Sequence, residues 1–254
     1  MGVKTVITLA DLPQSLEITS LEASMDGVMD SVYFLDDDRV LKLFENANED
    51  TVTEELNLLA YCRMLPIAKP LGKVLHIRNK PALIYHRCQG KSLKSAEVGQ
   101  IRQIGTFLQA FHTLTAARQS TNEPLFERSR LKRLIEESNV EIFDTLFKKI
   151  DLTLRNDGII HGDLFLDNAL FEGGRLSCVI DFTQACNGDF LFDLAVAGLS
   201  WCDSDEKTEA LLESYGATIT LEAFRPYREY ATLFYSVNRY LNGGNYQELL
   251  EKLV

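Results

Sequence analysis

Two-residue alternation dominates the start of this chain, and helical periodicity takes over later. Ser31-Val-Tyr-Phe-Leu35 and Arg39-Val-Leu-Lys-Leu-Phe44 are short runs of β-type residues, and the turn Asp36-Asp-Asp38 between them predicts a hairpin. Val74–Ile77 and Pro81–Tyr85 flank an Asn79-Lys80 turn in the same way. Between the two pairs, apolar residues at 52, 56, 58, 59 and 62 follow an acidic start and predict a helix over 51–65. From Ser95 the period changes: Val98, Ile101, Ile104, Phe107, Leu108 and Phe111 fall on one helical face. Residues 131–150, 190–200, 205–215 and 221–241 carry further helical patterns, with a compact strand-and-loop stretch at 159–183. The shift lies near Cys88–Gly90. It predicts an α+β chain with an antiparallel-sheet N-terminal lobe, residues 1–88, and a mostly helical C-terminal lobe, residues 89–254.

Composition narrows the function classes. The chain has 254 residues, enough for two lobes with buried cores, and its 46% hydrophobic and 25% charged residues are those of a globular protein. A formal net charge of −11 argues against nucleic-acid binding, which needs clustered Lys and Arg, and otherwise speaks mainly to solubility. It slightly favours a cationic substrate. No run of about 18 apolar residues exists, so no membrane span is expected. The first residues lack the long apolar stretch of a secretory signal, and a cytoplasmic location is expected. The five cysteines are odd in number and none lies in a CxxC pair; buried free thiols are expected rather than a disulfide framework or a zinc ribbon.

The chemistry concentrates in Ile159-Ile-His-Gly-Asp-Leu-Phe-Leu-Asp-Asn-Ala-Leu-Phe171. His161-x-Asp163 is followed five residues later by Asn168, then by a turn at Glu172–Arg175 and a strand that ends in Asp181-Phe182. The protein-kinase catalytic loop has this H-x-D-x-x-x-x-N spacing, with its second metal-binding Asp also followed by Phe. In that chemistry one Asp takes the proton of the acceptor hydroxyl, while an Asn and a second Asp hold Mg2+ on the nucleotide phosphates. Asp163 is therefore the candidate base, and Asn168 and Asp181 the candidate metal ligands. Asp and Asn are common in turns, but three at this spacing around a hairpin are not an ordinary turn pattern. Asp167 is more readily structural, with a place near the acceptor as the alternative.

The segment resembles the aminoglycoside phosphotransferase and choline kinase superfamily, whose loop reads HGDxxxxN. It is most similar to type II homoserine kinases, in HGDLFLDNALF, in VIDFTQAC and in FDLAVAGLSWC (Phe192 to Cys202). The resemblance implies a two-lobed protein-kinase-like fold, ATP and Mg2+ as cofactors, and a small-molecule hydroxyl as acceptor. It also implies that Lys42, in Val40-Leu-Lys-Leu43, contacts the nucleotide phosphates, with Glu55 as its ion-pair partner and Glu54 as the fallback. Gly27 and Ser31 would lie in the phosphate loop, with an ordinary β-turn as the alternative, and Val32 stands where the family has Asn. Backbone groups from His86 to Cys88 would read the base. His112 is expected to pack or cap, and Asp193 to brace the catalytic loop. Arg239 is the one arginine in Leu233–Leu241 available for an acceptor carboxylate. L-homoserine is the implied acceptor; choline, ethanolamine, an amino sugar or an aminoglycoside are the alternatives. A nucleotide-binding pseudokinase is a third reading, but Lys42, Asp163, Asn168 and Asp181 are all present.

Overall fold

The structure is a computed structural model that describes residues 2–25 and 29–251. Its first part contains β1 (Leu21–Ala23), β2 (Ser31–Leu35), β3 (Arg39–Leu43), α1 (Glu49–Tyr61), β4 (Pro70–Ile77) and β5 (Lys80–His86). The five strands form one antiparallel sheet in the order β1-β2-β3-β5-β4. The expected β2–β3 hairpin pairs Ser31 with Leu43 and Leu35 with Arg39. The β4–β5 turn is Arg78-Asn79, one residue earlier than expected, with φ of 52° and 62°. Two left-handed residues in a two-residue loop match the twist of the flanking strands. Helix α1 is capped by Asn48, whose side chain accepts the Thr51 N–H at 2.9 Å. It stops at Tyr61, short of the expected Leu65, where Pro66 disfavours helical backbone in any case.

One face of the sheet packs with α1 into a large core that continues through the helices of the second part. The other face presents Tyr33, Leu35, Leu41, Leu43, Ile77 and Ile84 to Ile7 and Leu12 of the N-terminal segment.

The second part contains β6 (Lys91–Ser92), α2 (Val98–Thr115), α3 (Arg128–Ser138), α4 (Glu141–Lys149), β7 (Gly158–Ile160), β8 (Ala169–Glu172), β9 (Arg175–Val179), β10 (Cys186–Gly188), α5 (Phe190–Trp201), α6 (Asp205–Tyr215), α7 (Leu221–Leu241) and α8 (Gln247–Leu250). The helix expected over 131–150 is two helices: Asn139 adopts a φ of 52° and ends α3. Asn enters the left-handed region at low cost, so its short polar side chain overrides the apolar period on either side. Helix α5 is apolar on nearly all faces and lies in the middle of the core, with Trp201 Nε1 donating to Leu164 O at 2.9 Å.

The cysteines depart from the sequence reading. Cys62, Cys186 and Cys202 are free and buried, but Cys88 and Cys178 form a disulfide with a Cα–Cα separation of 6.0 Å. The cause is tertiary. β6 pairs with β8, and Ser177 Oγ donates to Gln89 O at 2.6 Å, which brings the segment after β5 against the β8–β9 hairpin. Spacing along the chain carries no record of that approach. None of the helices formed by the described residues is long and apolar enough to cross a membrane.

Candidate functional site

Strand β7 delivers the chain into the loop His161–Asn168, and β8 and β9 return it to Asp181. Because Ala169 pairs with Val179 and Ile180 N–H donates to Asn168 O at 3.0 Å, Asn168 and Asp181 emerge side by side from the open end of one hairpin. The end of β9 also reaches the first part of the chain, where Val179 N–H donates to Pro66 O at 2.7 Å and Ala68 N–H to Val179 O at 2.9 Å. The hairpin that carries the site is thus tied to both parts.

Asp193, at the start of α5, holds the loop. Its two carboxylate oxygens accept the N–H groups of His161 and Gly162, each at 2.8 Å, and Oδ2 also meets His112 Nε2 at 2.9 Å. Asp193 is fully buried, yet the hydrogen bond and charge of His112 hold its carboxyl below the usual range against the opposing effect of burial. His112 in turn stacks on Phe190, 4.1 Å between centroids, and bonds Tyr215. The expected packing role of His112 and bracing role of Asp193 are therefore one network. Gly162 has a φ of 77°, and a Cβ there would come within 2.5 Å of the Phe126 ring, so only glycine fits. Tyr235 of α7 donates to the Gly162 carbonyl.

His161 is also buried. Its Nδ1 accepts the Asp163 N–H at 3.2 Å and its Nε2 faces Ile180 O at 3.2 Å. An acceptor on one nitrogen and a donor on the other require the neutral ring, in keeping with the lowering of its pKa by burial. We expect Asp193→Ala to cost about 2 kcal/mol or more, since it strands buried N–H donors. Urea unfolding of the variant, read as a shift in midpoint, measures this.

Asp163 is half-buried beside the loop. Asn168 Nδ2 donates to the Asp163 carbonyl at 2.7 Å and to its Oδ2 at 3.2 Å. Burial, followed by the charges of Asp181 and Asp167, pushes the Asp163 carboxyl up to about 8. Asp181 has the opposite balance: burial works against its charge, but Lys42 and the Thr183 hydroxyl hold it at about 2. Lys42 Nζ lies 2.8 Å from Asp181 Oδ1, 2.6 Å from Thr183 Oγ1 and 3.3 Å from Asp30 Oδ2. Burial disfavours the ammonium, yet the charges of Asp181, Glu55 and Asp30 keep it protonated above the usual lysine range.

The donor set fits a hard cation. With Asn168 Nδ2 committed to Asp163 and Asp181 Oδ1 committed to Lys42 and Thr183, Asn168 Oδ1 and Asp181 Oδ2 are left without hydrogen bonds among the described residues. These are oxygen ligands of the kind Mg2+ takes, and Mg2+ completes its shell with phosphate oxygens and water. The described residues contain no group of three or more His, Cys, Asp and Glu that could hold a metal without such help.

Several expected residues lie elsewhere or act differently. Glu55 is buried but makes no ion pair with Lys42. Its Oε2 accepts from Thr183 and its Oε1 from Tyr85, so the two charges meet across a hydroxyl. Glu54 points instead to Thr121. Ser31 is fully buried, accepts the N–H groups of Lys4 and Thr5 at 2.8 and 2.9 Å and donates to Glu45; it anchors the N-terminal segment and is not free for a phosphate. Gly27 lies outside the described residues. The His86 N–H is taken by Lys69 O, and only the Cys88 N–H of this segment is left without a partner among the described residues. Asp167 is exposed but close enough to raise Asp163. Arg239 is half-buried in the last turn of α7, one turn beyond Tyr235.

Thr183, Asp30 and Tyr235 also meet at the site. Thr183 had a usable signal, two residues past the metal-type Asp. Asp30 and Tyr235 reach the site only through folding.

The sequence model of the Phosphotransferase enzyme family matches residues 23–230. Among curated proteins, the homoserine kinase of Methylobacillus flagellatus is 26% identical over 249 residues, 85% of this chain and 78% of the relative. The homoserine kinase of Sinorhizobium fredii is 30% identical over 236 residues, 81% and 72% of the two chains. Among solved structures, choline kinase LicA from Streptococcus pneumoniae superposes with a TM-score of 0.71 at 18% identity, covering 94% of each chain. The GDP complex of aminoglycoside 2'-phosphotransferase-IIIa gives 0.70 at 19% identity over 92% of each. At these identities the two structures speak to fold alone: the chain has their two-lobed, protein-kinase-like architecture.

Proposed function

Since the chain belongs to the Phosphotransferase enzyme family, we propose that it transfers the terminal phosphoryl group of ATP, with Mg2+, to the hydroxyl of L-homoserine. The observation that carries the reading is the convergence of Lys42 from β3, Asp163 and Asn168 from one loop, and Asp181 from the end of β9. Residues 1–88 form the nucleotide side and residues 89–254 the catalytic and acceptor side. Lys42 holds the phosphates, and the Cys88 N–H faces the base. Asn168 Oδ1 and Asp181 Oδ2 would hold Mg2+, which supplies charge neutralisation on the phosphates. Asp163 orients the acceptor hydroxyl and accepts its proton. Positive charge brought beside Asp181 offsets one of the repulsions that raise the Asp163 carboxyl, so it favours the ionised form a base needs.

The acceptor assignment is supported by the wording of the catalytic loop and by the names of the relatives. Homoserine carries a carboxylate and an ammonium. Arg239, whose guanidinium has no ion pair among the described residues, is the candidate for the first, and exposed Asp167 for the second. Arg239→Ala should raise KM for homoserine and leave KM for ATP unchanged, because a contact kept from ground state to transition state is lost mainly as binding. Unchanged homoserine kinetics would remove Arg239 from that role. The substrate itself is tested by coupled ADP release across homoserine, choline, ethanolamine, amino sugars and aminoglycosides. Turnover on homoserine alone supports the proposal. Turnover on choline with none on homoserine replaces the acceptor and leaves the phosphotransferase chemistry standing.

A further inference from the structure

Thr183 stands where the β3 lysine, helix α1 and the turn after β9 meet. Its Oγ1 lies 2.6 Å from Lys42 Nζ, 2.9 Å from Asp181 Oδ1 and 3.1 Å from Glu55 Oε2. We propose that Thr183 is a positioning residue for phosphoryl transfer, its hydroxyl being the link through which Glu55 of α1 holds Lys42 and Asp181 in place. This rests on the roles assigned to Lys42 and Asp181 under Proposed function.

Counting donors and acceptors leads to this assignment. An ammonium has three N–H donors, and those of Lys42 have three acceptors in Asp181, Thr183 and Asp30. None remains for Glu55. A hydroxyl accepts through its lone pairs and donates one proton. Thr183 accepts from Lys42, so its proton is available to a carboxylate. Asp181 Oδ1 already receives Lys42. Glu55 Oε1 receives the Tyr85 hydroxyl at 2.8 Å, and Oε2 has only Thr183 among the described residues. That one proton is within reach of both Glu55 Oε2 and Asp181 Oδ1, so the path runs from Lys42 N–H through the shared Thr183 O–H to both carboxylates. With Lys42 at 8% and Glu55 at 3% exposure, water is poorly placed to substitute for the hydroxyl.

The same hydroxyl bears on Asp181. That residue holds a φ of 63°, a strained conformation for a non-glycine residue, so its neighbours must fix it. Lys42 and Thr183 both engage Oδ1, which leaves Oδ2 as the oxygen available to a cation. Without the hydroxyl, Asp181 keeps Lys42 alone among the described residues, and Lys42 loses its hydrogen-bonded link to α1, keeping only the charge of Glu55.

Thr183→Val preserves shape and removes the hydroxyl; Thr183→Ser keeps the hydroxyl and removes a methyl. Steady-state kinetics, the Mg2+ concentration for half-maximal rate, Mg·ADP binding by calorimetry and the thermal midpoint are to be read on both, and on Glu55→Gln with and without Thr183→Val. We expect T183V to lower kcat about 10- to 100-fold, the scale of one buried hydrogen bond to a charged group, and to raise the Mg2+ requirement. T183S should restore most of both. E55Q should add little in the T183V background, because the link is already cut. T183A carries the same expectation should T183V fold poorly. Wild-type values in T183V, equal damage in T183S, or losses that multiply between T183V and E55Q would each overturn the proposal. Calorimetry needs no acceptor and so separates the two readings. If wild-type protein phosphorylates no hydroxyl compound yet T183V weakens Mg·ADP binding and T183S restores it, the acceptor reading fails and the role of Thr183 stands. Mg·ADP binding unchanged in T183V overturns that role.

Discussion

Asp163→Asn should lower kcat by ~10² or more, the scale of a lost general base, while the protein stays folded and binds Mg·ATP. The amide is nearly isosteric, and its oxygen can still accept from Asn168 Nδ2, now 3.2 Å from Asp163 Oδ2. The loop itself is held by Asp193, which the substitution does not touch, and by Tyr235, which still donates to the Gly162 carbonyl. Stability should move in the other direction. The Asp163 carboxyl is pushed up to about 8, above its unfolded value of 3.8. Its contribution to stability is therefore fully present below about pH 4 and is lost as pH rises toward 8. A neutral amide avoids that loss, so the variant should equal or exceed wild type in thermal midpoint at pH 7, with the gap widening from pH 4 to pH 8. Melting curves across that range test the second part. A kcat near wild type would remove Asp163 from the role of base.

Asp181→Ala should abolish turnover and weaken Mg·nucleotide binding. It removes one of the two oxygens available to the cation and the nearest carboxylate to Lys42, at 2.8 Å. Lys42 keeps Asp30 and Thr183, so it is not left as an isolated buried charge. Some stability should nevertheless be lost at neutral pH. Asp181 is lowered to about 2, and a lowered acid contributes stability above its unfolded pKa that fades as pH falls toward 2. The difference in melting temperature between variant and wild type should accordingly narrow in acid. Asn168→Ala should be milder, because it removes no charge from the cation site. Calorimetric titration with Mg·ADP and turnover measured on the two variants decide the order. If Asn168→Ala were the more damaging, the two assignments would have to be exchanged.

The division of the fold was legible because its signals are local. The β2–β3 hairpin and the last three long helices follow from alternation, turn residues and a 3.6-residue period, and their bounds fall within a residue or two of the structure. The break at Asn139 was hidden because apolar residues continue on both sides of it and only the backbone angle ends the helix. β1 is three residues long and exists through pairing with β2, which no short window records.

The site divides in the same way. Asp163, Asn168 and Asp181 lie within one loop and one hairpin, where spacing along the chain fixes proximity in space. Lys42 required the family resemblance to be singled out. Its real partners did not follow from that resemblance: Thr183 intervenes before Glu55, and Asp30 joins from the segment before β2. Ser31 fails as a phosphate ligand for a related reason. In an alternating strand the first residue can face inward as easily as outward, and here it faces inward, against Lys4, Thr5 and Glu45. The Cys88–Cys178 bond was out of reach as well, since it depends on the approach of two segments separated by 90 residues.

The central claim, that Lys42, Asp163, Asn168 and Asp181 together move a phosphoryl group from Mg·ATP to an alcohol, is tested most directly by phosphorus NMR of wild-type protein with ATP, Mg2+ and L-homoserine. The expected result is a growing phosphomonoester resonance matched one for one by ADP, dependent on both Mg2+ and the acceptor. An unchanged ATP spectrum with homoserine and with every other hydroxyl acceptor of the panel, or ADP accompanied only by orthophosphate, would contradict it.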